Sequence, residues 1–352
     1  MGCRSRGAPD VPPPPSGDGG VAVVWEGSLG REVLSVPAAL NDSEVVVLTE
    51  GGGVFSLGAG GKLRLLFETD EPITFGPVVS GDTILFGTFY GYLLAFAPDG
   101  RMLLRDSLGS ASAVRGITVC DGYYVAVEDG HLFATGDGGV RWVGYLGDWV
   151  LFPATCLPRR GVVVPTISGR LLMYDSSGNL VWLVEGLDYL PSAPSYDGAR
   201  IAVASPEGRV LFLSPDGLRE TEFSISASPM GEVLASEGRY VVATTSGRLV
   251  SPGEWEVEVP LDAPPLLTDV GIVAVGGGLL RLLSYDGSVM DSVEIGEGEW
   301  LSPLPVEGGL IVVSREGRVL FVGGEWHPAG GWPTVRGDAA RRGVPTSNSS
   351  AL

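Results

Sequence analysis

The sequence predicts an all-β protein, an eight-bladed β-propeller built from four-stranded blades. Three observations lead to this prediction: the composition, a phrase that recurs at nearly constant spacing, and four short strand segments in each repeat. Of the 352 residues, 54 are glycine and 26 are proline, yet 44% are hydrophobic. Strands, turns and a real core give such a composition, whereas disordered chains lack the hydrophobic residues and collagen needs glycine at every third position.

The repeated phrase is a small or acidic residue, a glycine, any residue and two apolar residues, followed eight or nine residues later by a glycine turn. The repeat glycines are Gly53, Gly91, Gly130, Gly169, Gly208, Gly247, Gly278 and Gly317. By subtraction their spacings are 38, 39, 39, 39, 39, 31 and 39 residues. Eight units predict eight blades, of which only the sixth is short.

Residues 73–106 illustrate the content of one unit. The segments ITFGPVV, TILFGT, YLLAF and RMLLRD are separated by SGD, FYG and APDG. Aliphatic and β-branched residues favour strands, and Asp-Gly or Ser-Gly supplies the positive φ that tight hairpins need. Four strands in about 40 residues leave no room for a helix, and that period is typical of a propeller blade.

The eighth unit lacks a clear outer strand after Gly324, and residues 21–29 (VAVVWEGSL) are predicted to supply it. Their Trp25 then occupies the same blade position as Trp142 and Trp182, and all three are interpreted as packing residues. Strands from both ends of the chain would close the ring of blades, which otherwise contact only their neighbours.

The repeats resemble the pyrroloquinoline-quinone-like (quinoprotein-type) propeller repeats. The resemblance is best preserved in Gly91–Gly100 and Gly169–Trp182, and residues 332–343 (WPTVRGDAARRG) are similar to a segment that often flanks such propellers. It implies an eight-bladed fold and a C-terminal cap. In that cap Trp332 and Pro333 pack against a blade, and Arg336 pairs with Asp338 or a backbone carbonyl.

This group includes eight-bladed alcohol dehydrogenases and the BamB-like lipoprotein of the outer-membrane assembly machinery. The resemblance implies that the enzymes hold a quinone over adjacent cysteines, beside a calcium ion and an aspartate base. Here Cys120 and Cys156 are 36 residues apart, and asparagine occurs only at positions 41, 179 and 348. We therefore expect no cofactor, no metal and no enzyme. The alternative is a calcium-dependent or PQQ-dependent dehydrogenase with a site in the central channel.

The charge balance excludes some partners. With 23 basic and 42 acidic residues, the formal net charge is −19, which repels phosphate backbones and anionic lipids. We expect no nucleic-acid partner, and a membrane contact only through a lipid on Cys3. The propeller is expected to be monomeric, with protein partners.

One face of the propeller is predicted to bind those partners. The links between blades, and the loops between second and third strands, lie on the same face and carry acids next to aromatic residues. The candidate residues are Phe89, Tyr90, Asp148, Trp149, Asp188, Tyr189, Glu299 and Trp300. Exposed aromatic residues with a polar edge are common at binding hot spots. In the other interpretation, Trp149, Tyr189 and Trp300 only fill gaps between blades.

Residues 1–20 (MGCRSRGAPDVPPPPSGDGG) are predicted to be a proline-rich and glycine-rich tether, followed by the propeller at 21–328 and a capping segment and tail at 329–352. Gly2–Cys3 before a polar linker resembles the mature start of a bacterial lipoprotein, so Cys3 is a candidate for lipidation; an incidental cysteine is the alternative. The sequence as a whole predicts a non-enzymatic scaffold or recognition module of the cell envelope, periplasmic or extracellular, with a cytoplasmic location left open.

Overall fold

The computed structural model describes residues 21–136, 139–324, 326–330, 334 and 336–338, and it contains eight four-stranded antiparallel sheets. Each sheet is one blade, so the predicted eight-bladed β-propeller is confirmed. Blades one to four follow strand β1 (Ala22–Ser28). They comprise β2 (Ala38–Ala39), β3 (Glu44–Leu48), β4 (Gly53–Gly58) and β5 (Leu63–Glu68); β6 (Ile73–Ser80), β7 (Thr83–Thr88), β8 (Tyr92–Phe96) and β9 (Met102–Ser107); β10 (Val114–Val119), β11 (Tyr123–Val127), β12 (His131–Gly136) and β13 (Gly139–Tyr145); and β14 (Thr155–Leu157), β15 (Gly161–Pro165), β16 (Leu171–Tyr174) and β17 (Leu180–Val184).

The remaining strands form blades five to eight in the same order. They are β18 (Ser195–Tyr196), β19 (Ile201–Ala204), β20 (Arg209–Leu213) and β21 (Arg219–Ser224); β22 (Leu234–Ser236), β23 (Arg239–Thr244), β24 (Arg248–Ser251) and β25 (Trp255–Glu258); β26 (Leu266–Leu267), β27 (Ile272–Gly276), β28 (Leu279–Leu283) and β29 (Val289–Glu294); and β30 (Leu304–Val306), β31 (Gly309–Val313) and β32 (Arg318–Gly323). The short sixth unit keeps all four strands, but β24 and β25 have only four residues each. Its missing residues therefore shorten the blade without removing a strand.

The fourth strand of blade eight comes from the N-terminal side of the chain, as predicted. Strand β1 pairs antiparallel with β32, with Trp25 opposite Phe321 and Ser28 opposite Arg318. The first strands of neighbouring blades are in contact from β2 of blade one through β26 of blade seven, and β2 also contacts β30 of blade eight. The first strand of each blade is thus innermost, the fourth is outermost, and the ring is closed.

The core consists of the interfaces between neighbouring blades. Val45 and Val47 of blade one pack with Leu304 and Ile311 of blade eight, and all four side chains are buried. Strand residues on both faces of each sheet are apolar because each blade is covered on both sides by a neighbour. The hydrophobic runs of the sequence therefore stabilise contacts between blades as well as strands within them.

Tryptophans of the outer strands also link neighbouring blades, and the shared position predicted for three of them is confirmed. Each indole N–H donates to a backbone carbonyl in the turn before the fourth strand of the next blade. The donors and acceptors are Trp25 and Ala59 (2.7 Å), Trp142 and Ser176 (3.0 Å), Trp182 and Pro215 (3.1 Å), and Trp255 and Tyr285 (2.9 Å). Trp255, which lies in the short sixth blade, occupies the same position but was not among the three tryptophans predicted.

A second repeated contact explains the recurrent glycine. In every blade, the link that leaves the fourth strand donates a backbone N–H to the carbonyl of this glycine, at 2.8–3.1 Å. At Gly169 φ is 75°, and a Cβ atom would lie 2.0 Å from the carbonyl oxygen of Leu187 in the passing link. Only glycine fits this conformation and this space. In blade one the residue is Gly52 and not Gly53, as the repeat pattern had indicated, so the first spacing becomes 39 residues by subtraction.

The structure places Cys120 and Cys156 in a disulfide bond. Cys120 follows β10 of blade three, and Cys156 lies in β14 of blade four. The bond therefore joins the inner strands of two neighbouring blades. None of the described residues forms a helix that is long and apolar enough to cross a membrane.

We expect the Cys120→Ser/Cys156→Ser variant to unfold more easily than the native protein. A disulfide that spans 36 residues restricts the unfolded chain, and its loss costs about 3–4 kcal/mol. Urea denaturation should show a lower midpoint for the variant and for native protein unfolded with a reductant. The Cys3→Ser variant is the control and should keep the native midpoint. An unchanged midpoint for the double variant would contradict the prediction.

Candidate binding face

The strand order sets which loops share a face of the propeller. Because the four strands of a blade are antiparallel, the links between blades and the loops between second and third strands lie on one face, here the link face. The hairpins between first and second strands, and the turns between third and fourth strands, lie on the other, here the hairpin face. The link face carries the predicted binding residues.

Exposed aromatic residues are distributed unequally between the faces. Among the described residues, five aromatic side chains are more than 40% exposed: Phe89, Tyr90, Tyr145, Trp149 and Tyr189. All five lie in or directly beside loops of the link face, and they belong to blades two and three and to the links that follow blades three and four. Their aromatic surfaces are therefore concentrated in one sector of one face.

Phe89 and Tyr90 form the tip of the loop between β7 and β8. Their side chains are 52% and 59% exposed, and their rings meet edge to face with centroids 5.4 Å apart. The backbone N–H of Phe89 donates to the carbonyl of Pro72 in the preceding link, at 2.8 Å. The loop thus presents two aromatic rings from a backbone that is held in place.

Trp149 lies in the link from blade three to blade four. Asp148 accepts backbone N–H bonds from Trp149 at 2.8 Å and from Ser168 at 2.9 Å. Burial raises the pKa of Asp148, but hydrogen bonds from Ser168, Thr166 and Trp149 outweigh it, so the net pKa is lowered and the carboxylate stays charged at neutral pH. The indole of Trp149 is 57% exposed on this fixed link.

Tyr189 lies in the next link, from blade four to blade five, and its side chain is 42% exposed. Its neighbour Asp188 forms an ion pair with Arg209, whose Nε lies 2.8 Å from the carboxylate. Here too, an acid anchors the link while the aromatic residue faces solvent. Tyr145, at the end of β13, is 65% exposed and was missed by the sequence analysis because it stands in a strand and has no acid beside it.

The third acid–aromatic pair differs. Trp300 is only 1% exposed, and its indole N–H donates to the carbonyl of Gly296 at 2.9 Å. Glu299 is exposed and lies 3.4 Å from Arg315. The surface position expected for Trp300 is therefore wrong, and this tryptophan fills the gap between blades seven and eight, as the second interpretation expected. The reason is the position of Trp300 within its link: the backbone N–H of Arg315 donates to the carbonyl of Glu299, as that of Ile167 donates to the carbonyl of Trp149, so Trp300 lies one residue further along.

A cavity of about 480 Å³ opens at the centre of the link face. Its wall is formed by residues at the starts of the inner strands, including Phe75, Phe152, Met230 and the edge of Trp300. Charged groups line it as well: Arg115, Arg315, Glu232, Asp262 and Glu299. Its size is in the range of pockets that bind small molecules or side chains of a partner.

The described residues of the C-terminal segment lie at two places, the hairpin face and the cavity. Pro328 forms a β-bridge with Thr268, which lies in the hairpin after β26, and Ala329 is buried in the core. Further along, the Arg336 backbone N–H donates to the Glu232 carboxylate at 2.6 Å, and its guanidinium lies 4.0 Å from the centre of the Phe75 ring. The resemblance implied a cap in this region. The expected packing of Trp332 and Pro333 lies outside the described residues, as do Cys3 and residues 1–20.

The cavity gives no fit to a quinone or calcium site. Cys120 and Cys156 are not adjacent in sequence, and they lie at the hairpin face. Within the described ranges, no three or more histidine, cysteine or acidic side chains are grouped so that they could hold a metal ion. Burial raises the pKa of Asp262. The hydrogen bonds that its carboxylate accepts from the backbone N–H groups of Trp300 and Gly277 lower the pKa, but by less. No step of quinone chemistry can be derived from these residues.

Alanine substitution should separate the two kinds of tryptophan. We expect Trp300→Ala to lower the free energy of unfolding by about 3–5 kcal/mol, because it removes a fully buried side chain. Trp149→Ala should change it by less than about 0.5 kcal/mol, because the indole faces solvent. Urea denaturation measures both values. Equal losses would contradict the assignment of Trp149 to the surface.

Comparison with known proteins agrees with the architecture. No family model matches the chain, and no curated protein matches it. Among solved structures, the crystal structure of BamB from Moraxella catarrhalis has a TM-score of 0.72 at 17% identity, covering 86% of this chain and 99% of that one. The computationally designed Ika8 protein has a TM-score of 0.67 at 11% identity, covering 85% of this chain and 97% of its own. The chain therefore has the fold of a BamB-like propeller.

Proposed function

We propose that this protein is a non-enzymatic scaffold of the cell envelope that binds protein partners through its link face. The observation that carries this proposal is the placement of all five strongly exposed aromatic side chains of the described region on that face. Exposed aromatic residues cost free energy in water and give large binding energies when a partner covers them. A rigid ring of blades lets the loops bind with little ordering of their own.

The acidic residues of the link face contribute to the choice of partner more than to the strength of binding. Asp148 accepts a backbone N–H bond from Ser168 in the loop before β16, Asp188 pairs with Arg209 at the start of β20, and both place negative charge beside the aromatic rings. Such a rim favours partners with basic or neutral surfaces and repels acidic ones. The net charge of −19 has the same effect over longer distances.

The disulfide supports an envelope location. Disulfides persist in oxidising compartments such as the periplasm and the extracellular space, and are rare in the cytosol of mesophiles. The Cys120–Cys156 bond is built into the interface of two blades, since Cys156 is only 2% exposed. This location is also the one implied by the resemblance of the repeats to BamB-like lipoproteins.

The binding proposal is tested by affinity capture from an envelope fraction of the source organism, followed by affinity measurements with each captured protein. We expect Trp149→Ala/Tyr189→Ala to weaken binding at least about tenfold, since hot-spot side chains contribute 1–2 kcal/mol or more each. Leu218→Ala is the control, because Leu218 is 69% exposed in a turn of the hairpin face. A partner that binds the double variant as tightly as the native protein would overturn the link-face assignment.

The anchoring proposal concerns Cys3 and is tested separately. We expect protein isolated from the source organism to carry lipid on Cys3 and to sediment with membranes, because two or more acyl chains give stable anchoring. Mass spectrometry of the N-terminal peptide identifies the modification. Cys3→Ser should move the protein to the aqueous fraction and leave partner binding unchanged. An unmodified Cys3 in the isolated protein would refute the anchor.

A further inference from the structure

The central cavity of the link face is lined by arginines, but two of them already have acidic partners. Arg115 donates from Nε and Nη2 to the carboxylate of Glu128, at 2.9 and 2.6 Å. Nε of Arg315 lies 3.4 Å from the carboxylate of Glu299. Since these charges are balanced within the protein, neither arginine is left to bind an anionic ligand.

Asp262 differs from these paired groups. It lies in the link before β26 of blade seven, and its carboxylate accepts hydrogen bonds from the backbone N–H groups of Trp300 and Gly277. In the part of the chain that the structure describes, it has no basic partner. Burial raises the pKa of Asp262, and the nearby carboxylates of Glu297 and Glu299 raise it further. A positive charge beside Asp262 would therefore relieve a local excess of negative charge.

The other side of the cavity is aromatic. Phe75, near the start of β6 in blade two, and Phe152, just before blade four, are both half-buried and line the cavity. In the order of the ring each lies three blades from blade seven, one in either direction, so both are across the channel from Asp262. Faces of aromatic rings attract organic cations as well as apolar groups. An acid and an aromatic wall thus lie on opposite sides of a cavity of about 480 Å³.

The chain itself places one organic cation against this wall. The guanidinium of Arg336 lies 4.0 Å from the centre of the Phe75 ring, and the Arg336 backbone N–H donates to Glu232, which also lines the cavity. Arg336 is only 9% exposed, so its cation is held largely out of solvent. This contact is independent of Asp262 and shows that the cavity wall accommodates a cation.

We propose that the cavity is a binding site for a small organic cation, whose ammonium or guanidinium group lies beside Asp262 and whose apolar part packs on Phe152. A metal ion fits less well, because the described residues contain no group of three or more histidine, cysteine or acidic side chains that could hold one. The net charge of −19 adds to the attraction, since a cleft concentrates the field of the whole protein. The site does not depend on a protein partner of the link face.

Titration of the full chain with three matched probes tests the site. The probes are 2-phenylethylamine, 2-phenylethanol and phenylacetate, which share an aromatic ring and are positive, neutral and negative at neutral pH. Ligand-observed NMR measures their affinities, including weak ones. We expect the amine to bind at least about tenfold more tightly than the other two, because only the amine pairs with Asp262. Added salt should weaken binding of the amine and leave binding of the alcohol nearly unchanged.

Three variants locate the site. Asp262→Asn keeps an oxygen for the backbone N–H groups but loses the charge, so the amine should bind at least about tenfold more weakly and the alcohol as before. Phe152→Ala should weaken both the amine and the alcohol. Asp70→Asn is the control, because it removes the same charge from an exposed link residue outside the cavity, and it should leave both affinities within about twofold of native. Circular dichroism checks that each variant is folded.

Three results would overturn the proposal. Equal affinities for the amine and the alcohol would mean that the charge of Asp262 plays no part in binding. Equal effects of Asp262→Asn and Asp70→Asn would mean that net charge, and not the cavity, attracts the amine. The third result is that none of the probes binds. If Asp262→Asn then weakens a protein captured through the link face, the cavity receives a side chain of that protein and not a small molecule.

Discussion

The contact on which the structure depends is the hydrogen bond between each interblade link and the repeat glycine of the blade it leaves. It occurs in all eight blades, with N–O distances of 2.8–3.1 Å. The bond holds the link against the loop between the second and third strands, from where the chain continues into the next blade. All eight glycines have a positive φ, and in six of the eight blades a Cβ atom would also collide with a carbonyl oxygen of the link, as the 2.0 Å distance at Gly169 shows, so the sequence repeats glycine where the chain changes blade.

Because of this constraint, different residues determine the fold and the chemistry of the link face. The backbone of each link is fixed by the glycine, so the residues at the link tips are free to vary without changing the ring. Trp149 and Tyr189 use this freedom, with acids that bond to their own links or to Arg209. The aromatic rings are therefore presented on a preorganised backbone, which lowers the entropy lost when a partner binds.

The architecture could be predicted from the sequence because its causes are local. Glycine spacing, Asp-Gly turns and alternating apolar residues each specify one short element, and the N-terminal closing strand followed from a missing piece in the eighth unit. The site was harder, since burial depends on where a residue stands within its link. Trp149 and Trp300 both follow an acid, but Trp300 stands four residues after the link glycine Gly296 and Trp149 only two after Gly147, so one is in the interior and the other at the surface. The disulfide likewise required knowledge of which strands are neighbours.

Blades three and four combine several features that the other blades lack. Their inner strands are joined by the Cys120–Cys156 bond, and the links that follow them carry the exposed Trp149 and Tyr189. A propeller opens most easily between blades, since each blade contacts only its neighbours. A covalent bond between these two blades resists such opening in that sector. It therefore keeps the rings of Trp149 and Tyr189 at fixed positions relative to one another, which is what a recognition surface requires.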